Sequence, residues 1–250
     1  MKTSTPLRPL LLWVALPVLF HLLWWGLSVV VGGMLLPPPK SVYQSAGELV
    51  RTGLFWMHLL STLYRLFGAL FLSCGVALVI SLSSYFLSPK GKTVVQGLLN
   101  FTYPIPKMLF LPIIIVLAGL GDASKILLVF LVLLLQLTVA LTDALKELPR
   151  PYLQVMQVLH ARPAEMIRHL LLPYLSPTLF SALKVAVGTG ISVLFIAETY
   201  GTDRGLGYLI SDYWMRLQYP HMYATILILG LLGFVLFVLL DLLGKRVWRK

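Results

Sequence analysis

Apolar residues in this chain gather into long uninterrupted runs, with none of the short alternation expected of a two-layered soluble domain. A run of about 20 apolar residues is needed to cross the hydrocarbon core of a bilayer. About six stretches meet that length rule: 10–31, 63–87, 94–117, 126–141, 178–197 and 223–243. The fourth is the shortest. The first is longer than a signal-peptide core and lacks a small-residue cleavage site after it, so it reads as a retained span. Pro37, Pro38 and Pro39 stop the first helix, and residues 41–58 read as a short amphipathic helix at the outer surface, with Phe55 and Trp56 suited to the lipid interface. Ala69, Ser73, Ala77 and Ser81 make a small-residue stripe on the second span, a face on which another helix can approach closely. Pro104, Pro106 and Pro112 predict a third span kinked and buried within a bundle. The fifth span repeats the small-residue spacing with Ala182, Ala186 and Gly190 and adds Gly188, Thr189 and Ser192 near its middle.

Composition agrees with this pattern: 58% of the residues are hydrophobic and 12% charged, typical of a chain whose solvent is mostly lipid. The fold class is therefore all-α, a polytopic membrane protein, and residues 1–250 form one membrane domain, because no extramembrane piece is long enough for its own core. The charge of +11 is unevenly placed. Lys2, Arg8, Lys90, Lys92, Lys146, Arg150, Arg162, Arg168, Lys245, Arg246, Arg249 and Lys250 fall on one side of the predicted topology. The opposite side carries Lys40, Arg51, Arg65, Lys125, Arg204 and Arg216, balanced by Glu48, Asp122, Glu198, Asp203 and Asp212. The positive-inside rule places both termini and the segment 146–172 in the cytoplasm. No nucleic-acid partner is needed to explain the charge, since the basic residues are split among short loops.

Several chemistries are excluded by what the chain lacks. Cys74 is the sole cysteine, so neither a disulfide framework nor a thiolate metal site can form. No G-x-x-x-x-G-K-[ST] loop is present, and any ATP with its Mg²⁺ must be handled by a partner. Lys107, Lys184 and Glu198 lie toward span ends, which disfavours ion-coupled transport. None of the five histidines falls at mid-membrane beside a nucleophile, as an intramembrane protease would require.

The polar stretch that breaks the membrane pattern is PRPYLQVMQVLHARPAEMIRHLLLP, two short helices with the second starting near Pro163. By pattern alone it is either an amphipathic connection on the bilayer or a docking element. With the following LLPYLSP it resembles the cytoplasmic coupling loop of ATP-binding-cassette importer permeases. Downstream, IAETYGTDRGLGYLI resembles the A-E and G-L-G-Y-x-I text of the subgroup serving sulfonates, taurine, nitrate and related ligands. Upstream, LLPPPKSVYQSAGEL, HLLSTLYRLFGA with Arg65, and YPIPKMLFLPIIIVLAGLGDASK fit the same subgroup, so the resemblance covers nearly the whole chain.

The resemblance implies a type I, MetI-like importer permease, working as a homodimer or close heterodimer. It implies an external solute-binding protein and cytoplasmic ATPase subunits as partners. It sets Gln154, Val155 and Met156 where the family has E-A-A, and His160 where the family has a glycine. With Val158, Ala161, Arg162, Pro163 and Glu165 these form the expected ATPase-coupling surface. A left-handed turn at His160 would be strained by its side chain. Ala186, Thr189, Gly190, Ser192 and Glu198 are the expected translocation path, although the two hydroxyls can be satisfied by their own helix and Glu198 can instead anchor the loop that follows it. Asp203, Arg204 and Asp212 are expected to meet the binding protein. An ion-coupled carrier and a non-transporting scaffold are the alternatives.

Overall fold

The structure, a computed structural model, describes residues 7–248. Lys2, Arg249 and Lys250 of the basic set lie outside the described residues. Every regular element among these residues is helical: α1 (Leu7–Val31), α2 (Pro39–Val50), α3 (Gly53–Tyr85), α4 (Pro89–Thr102), α5 (Leu111–Ala118), α6 (Asp122–Lys146), α7 (Arg150–Val158), α8 (Pro163–Met166), α9 (Leu172–Glu198), α10 (Leu206–Met215) and α11 (Tyr219–Trp248). Four stretches are long and apolar enough to cross a membrane: α3, α6, the continuous run Pro163–Glu198, and Tyr219–Arg246. A fifth is broken, α4 and the run Lys107–Ala118 meeting at 82°. Within α1, Ala15–Val31 is a shorter apolar helix, so the described residues hold four or five such spans where the apolar runs suggested about six.

The chain separates into two compact units, one made of the residues up to His58 with Leu209–Leu229, the other of Leu59–Tyr208 with Gly230 onward. In the first, α1 turns back on α2. Pro39 does not merely stop a helix; it starts α2, where its missing N–H costs nothing and its fixed φ suits the first turn. The Trp24 indole donates to Pro37 O (3.1 Å) and rests edge-on against Tyr43. The outer helix is shorter than the expected 41–58: it ends at Val50, and residues from Gly53 already belong to α3. Phe55 is buried, so of the expected interfacial pair only Trp56 stands exposed.

In the second unit α6 is the axis. The expected 126–141 was too short, because Asp122 and Lys146 extend the helix to 25 residues, each at the end where its charge favours the helix dipole. The stripe of Ala69, Ser73, Ala77 and Ser81 is fully buried, and the Ser73 hydroxyl reaches Phe130 O (3.1 Å) on α6. In lipid, apolar burial gives little drive for helices to pair, so close backbone approach and such hydrogen bonds carry the association. On the other side α6 packs along α9. A Cβ at Gly190 would stand 2.9 Å from Leu66 Cδ1 and 3.4 Å from Leu133 Cδ1, so glycine is what lets the helices close.

The third span departs most from expectation. Pro104 and Pro106 remove two donors on either side of Ile105, the helix ends at Thr102, and a 3₁₀ turn (Lys107–Phe110) restarts it. Leu99, Leu111 and Ile114 are buried, whereas Phe101, Leu109, Val116 and Leu117 are exposed, so the segment flanks the bundle instead of lying within it.

Candidate functional site

The segment expected to couple is built from α7, the four residues 159–162, and α8. α7 ends in a left-handed turn: His160 has φ +49°, the Ala161 N–H reaches Met156 O and the His160 N–H reaches Gln157 O, both at 3.0 Å. This is the Schellman closure that normally uses glycine. His160 adopts this left-handed turn despite its side chain, and its Nδ1 lies 3.1 Å from Val158 O. α8 then starts at Pro163, with the Glu165 carboxylate accepting the Arg162 backbone N–H (2.7 Å).

Most of the expected coupling residues stand free: Gln154, Val155, Val158, His160, Arg162, Pro163 and Glu165 are exposed, and Ala161 is half-buried. Met156 is the exception, because with Leu153 it faces inward and packs on the unit's core. Two contributors were not in the expected set. Tyr152 and Leu159 join Val155 and Val158 on one outward apolar face, with Val158 77% and Leu159 68% exposed. Helical spacing alone carries that signal, since 152, 155 and 159 recur on one side of a helix.

Between α8 and α9 lies one π turn, Ile167–Leu171, in which the Leu172 N–H bonds Ile167 O. Pro173 has no N–H and its ring crowds the His169 carbonyl, which widens the turn without breaking the rod. Helix therefore runs without interruption from Pro163 to Glu198.

The expected path residues do not share a face of α9. Ala186 and Gly190 are buried toward α6 and Leu66, and Glu198 is wholly buried. Ser192 is exposed and Thr189 partly so; their hydroxyls bond Gly188 O (2.9 Å) and Val185 O (3.2 Å). A helix turning 100° per residue cannot bring 186, 190 and 192 to one side. The open face of α9 is formed by Val185, Gly188, Ser192 and Ile196.

Glu198 belongs to a buried polar knot. The Arg65 guanidinium donates to Glu198 Oε1 (2.8 Å), to Asp122 Oδ1 (2.7 Å), to Arg204 O (2.8 Å) and to Thr202 Oγ1 (3.2 Å). The Thr62 hydroxyl donates to Glu198 Oε2 (2.9 Å) and accepts the Leu206 N–H (2.8 Å), while the Gly207 N–H donates to Glu198 Oε2 (2.9 Å). Lys125, also buried, donates to Gly201 O (2.9 Å) and to Leu120 O. Two cations and two carboxylates thus balance at the end of α9 away from α7. The glycines around Leu206 follow from this geometry. Gly205 has φ +119° and a Cβ there would fall on the Glu198 carboxylate; a Cβ at Gly207 would meet Phe195 O at 2.5 Å. Glu198 and Thr62 together satisfy the first N–H groups of the helix that begins at Leu206.

Glu198 is therefore an anchor of the following loop and is not open to a passing solute in this conformation. Thr62, Asp122 and Lys125 were not expected in the site. Thr62 lies one helical turn before Arg65, the one cue the sequence held. Of the expected docking residues, Asp203 and Arg204 are exposed beside the knot, 3.9 Å from each other. Asp212 pairs with Arg216 (3.0 Å). Among the described residues no group of His, Cys, Asp and Glu is placed to hold a metal ion.

Residues 70–249 match the family described as binding-protein-dependent transport system inner membrane component, and the chain belongs to that family. It is similar to the taurine transport system permease protein TauC of Escherichia coli, 26% identical over 233 residues that cover 90% of this chain and 84% of the relative. It is also similar to the formylaminopyrimidine transport permease protein ThiX of Halalkalibacterium halodurans, 28% identical over 241 residues, 94% and 96% of the two chains. Among solved structures, a chain of a bacterial transporter involved in import of the polysaccharide alginate superposes with a TM-score of 0.70 at 16% identity, covering 96% of both chains. A chain of the inward-facing MetNI methionine transporter gives 0.68 at 21% identity, covering 78% of this chain and 96% of that one. The fold is that of the MetI-like importer permeases.

Proposed function

We propose that this inner-membrane permease works as a pair of like chains. An external binding protein delivers a small organic solute to it, and cytoplasmic ATPase subunits seated on α7 and the turn at His160 drive it. The observation that carries this reading is the outward apolar face of Tyr152, Val155, Val158 and Leu159, set one turn before a helix that runs without interruption from Pro163 to the polar knot. At about 1.5 Å per residue that helix is about 50 Å long, enough to carry a tilt imposed at α7 across a bilayer. ATP-driven closure of the ATPase pair would shift the balance between inward-open and outward-open states through this lever.

The termini and the 146–172 segment face the cytoplasm by the distribution of Lys and Arg. The open face of α9, with Thr189 and Ser192, lines the solute path toward the second chain. Asp203, Arg204 and Asp212 meet the binding protein. The solute is a sulfonate such as taurine, or a related small ligand such as nitrate or a pyrimidine; selection rests mainly with the binding protein.

The test is Val155→Asp with Val158→Asp in the full chain, expressed with its native ATPase and assayed by co-purification, ATP hydrolysis and uptake. Insertion is expected to be normal and the ATPase to be lost, because two carboxylates would be buried unpaired at the contact. Unchanged uptake overturns the coupling role.

A further inference from the structure

A cavity of about 350 Å³ opens beside α7 and has no part in the reading above. Its floor is Thr142, Leu145 and Leu148, and its rim carries Lys92, Lys146 and Arg150; no acidic side chain lines it. The cations come from three elements: Lys92 from the first turn of α4, Lys146 from the last turn of α6, and Arg150 from the start of α7. Two of these placements oppose the usual electrostatics. Helix N-termini favour anions, yet neither α4 nor α7 has an acidic residue in its first turn. Both starts instead hold cations, directed to the same concavity.

Existing partners only partly answer this charge. Lys92 lies over the Tyr85 ring (5.1 Å). Lys146 holds Gln96 Oε1 (2.6 Å) and the exposed Asp143 (2.7 Å). Arg150 makes no side-chain hydrogen bond or ion pair to a described residue. Positive-inside placement requires cations on one side of the membrane, but it does not require them to converge around a cavity whose volume suits a small ligand. Three cations, two helix starts and an aromatic ring form the kind of basic pocket between membrane helices that takes a phosphate head group.

We propose that this pocket binds a phosphate-bearing anion, and that the occupant ties α4 and α6 to the start of α7. The bound phosphate completes the charge that the two helix starts lack and holds α7 in place at the base of the coupling turn. An anionic phospholipid and a soluble phosphate share this chemistry.

The experiment is native mass spectrometry of the full chain in a neutral detergent, titrated with phosphatidylglycerol, with phosphatidylcholine or with inorganic phosphate. Hydrogen exchange across α7 is followed in the same samples. The triple variant Lys92→Gln, Lys146→Gln, Arg150→Gln is compared with wild type and with Lys245→Gln, Arg246→Gln, which removes cations that do not line the pocket. Phosphatidylglycerol is expected to bind in preference to phosphatidylcholine, to slow exchange in α7, and to bind roughly 100-fold more weakly to the triple variant, from about a fivefold loss per cation. The control should match wild type. Binding and protection by inorganic phosphate alone, lost in the triple variant, supports the site with a soluble source. Equal binding of both probes by wild type and triple variant overturns the proposal. Should the triple variant fail to fold, Arg150→Gln alone decides, since its exposed and unpaired side chain supports no other contact; unchanged affinity there also overturns it.

Discussion

Replacing Arg65 with methionine should be among the most damaging single changes in the polar knot. The side chain is 2% exposed and makes hydrogen bonds to Glu198, Asp122, Arg204 O and Thr202. Methionine fills much of the same volume, so the loss is electrostatic and not a cavity. Asp122 is half-exposed and water can replace the guanidinium there, a loss of about 1 kcal/mol or less. Glu198 is 0% exposed and would keep only Thr62 and Gly207 as donors, a buried charge stripped of its counter-ion, which costs about 3–5 kcal/mol. The expected total is therefore about 3–5 kcal/mol, with Asp122→Asn costing a small fraction of that. Equilibrium unfolding of the full chain in mixed micelles, with increasing denaturing detergent, would measure it. Adding Glu198→Gln to Arg65→Met removes the orphaned charge, and the double variant should be less destabilised than the two singles summed by about 1–3 kcal/mol. Strict additivity, or an Arg65→Met variant within about 0.5 kcal/mol of wild type, would refute the reasoning.

Other outcomes follow from single positions. His160→Gly should be neutral or stabilising by up to about 1 kcal/mol, because relief of the left-handed penalty is partly offset by a more flexible unfolded chain; His160→Val should be destabilising, and the opposite order in thermal melts would refute a left-handed turn. Gly205→Ala should lower stability and expose the 199–206 loop to protease, since both its φ and the Glu198 carboxylate exclude a Cβ; unchanged proteolysis would count against the knot as loop anchor. Gly190→Leu should cost about 1–3 kcal/mol by forcing α9 from Leu66 and Leu133, read in the same micelle unfolding.

Sequence by itself determined the membrane class, the positions of most spans and the small-residue stripe of α3, because lipid demands long apolar helices and close packing demands small side chains wherever the fold places them. It also determined the short helices α7 and α8, since Pro163 starts one and amphipathic spacing marks the other. Local rules are enough for features whose cause lies within a few residues. Tertiary structure decided what depends on partners far along the chain. Arg65 and Glu198 are 133 residues apart, and nothing in either neighbourhood says that the two meet, or that Glu198 serves as an anchor. The same holds for the inward turn of Met156, the exposed flank of the broken third span and the split of α9 into a packed face and an open one. Each of these is set by which helix lies alongside, and a periodic apolar pattern in lipid leaves that choice open because every face of such a helix is already apolar.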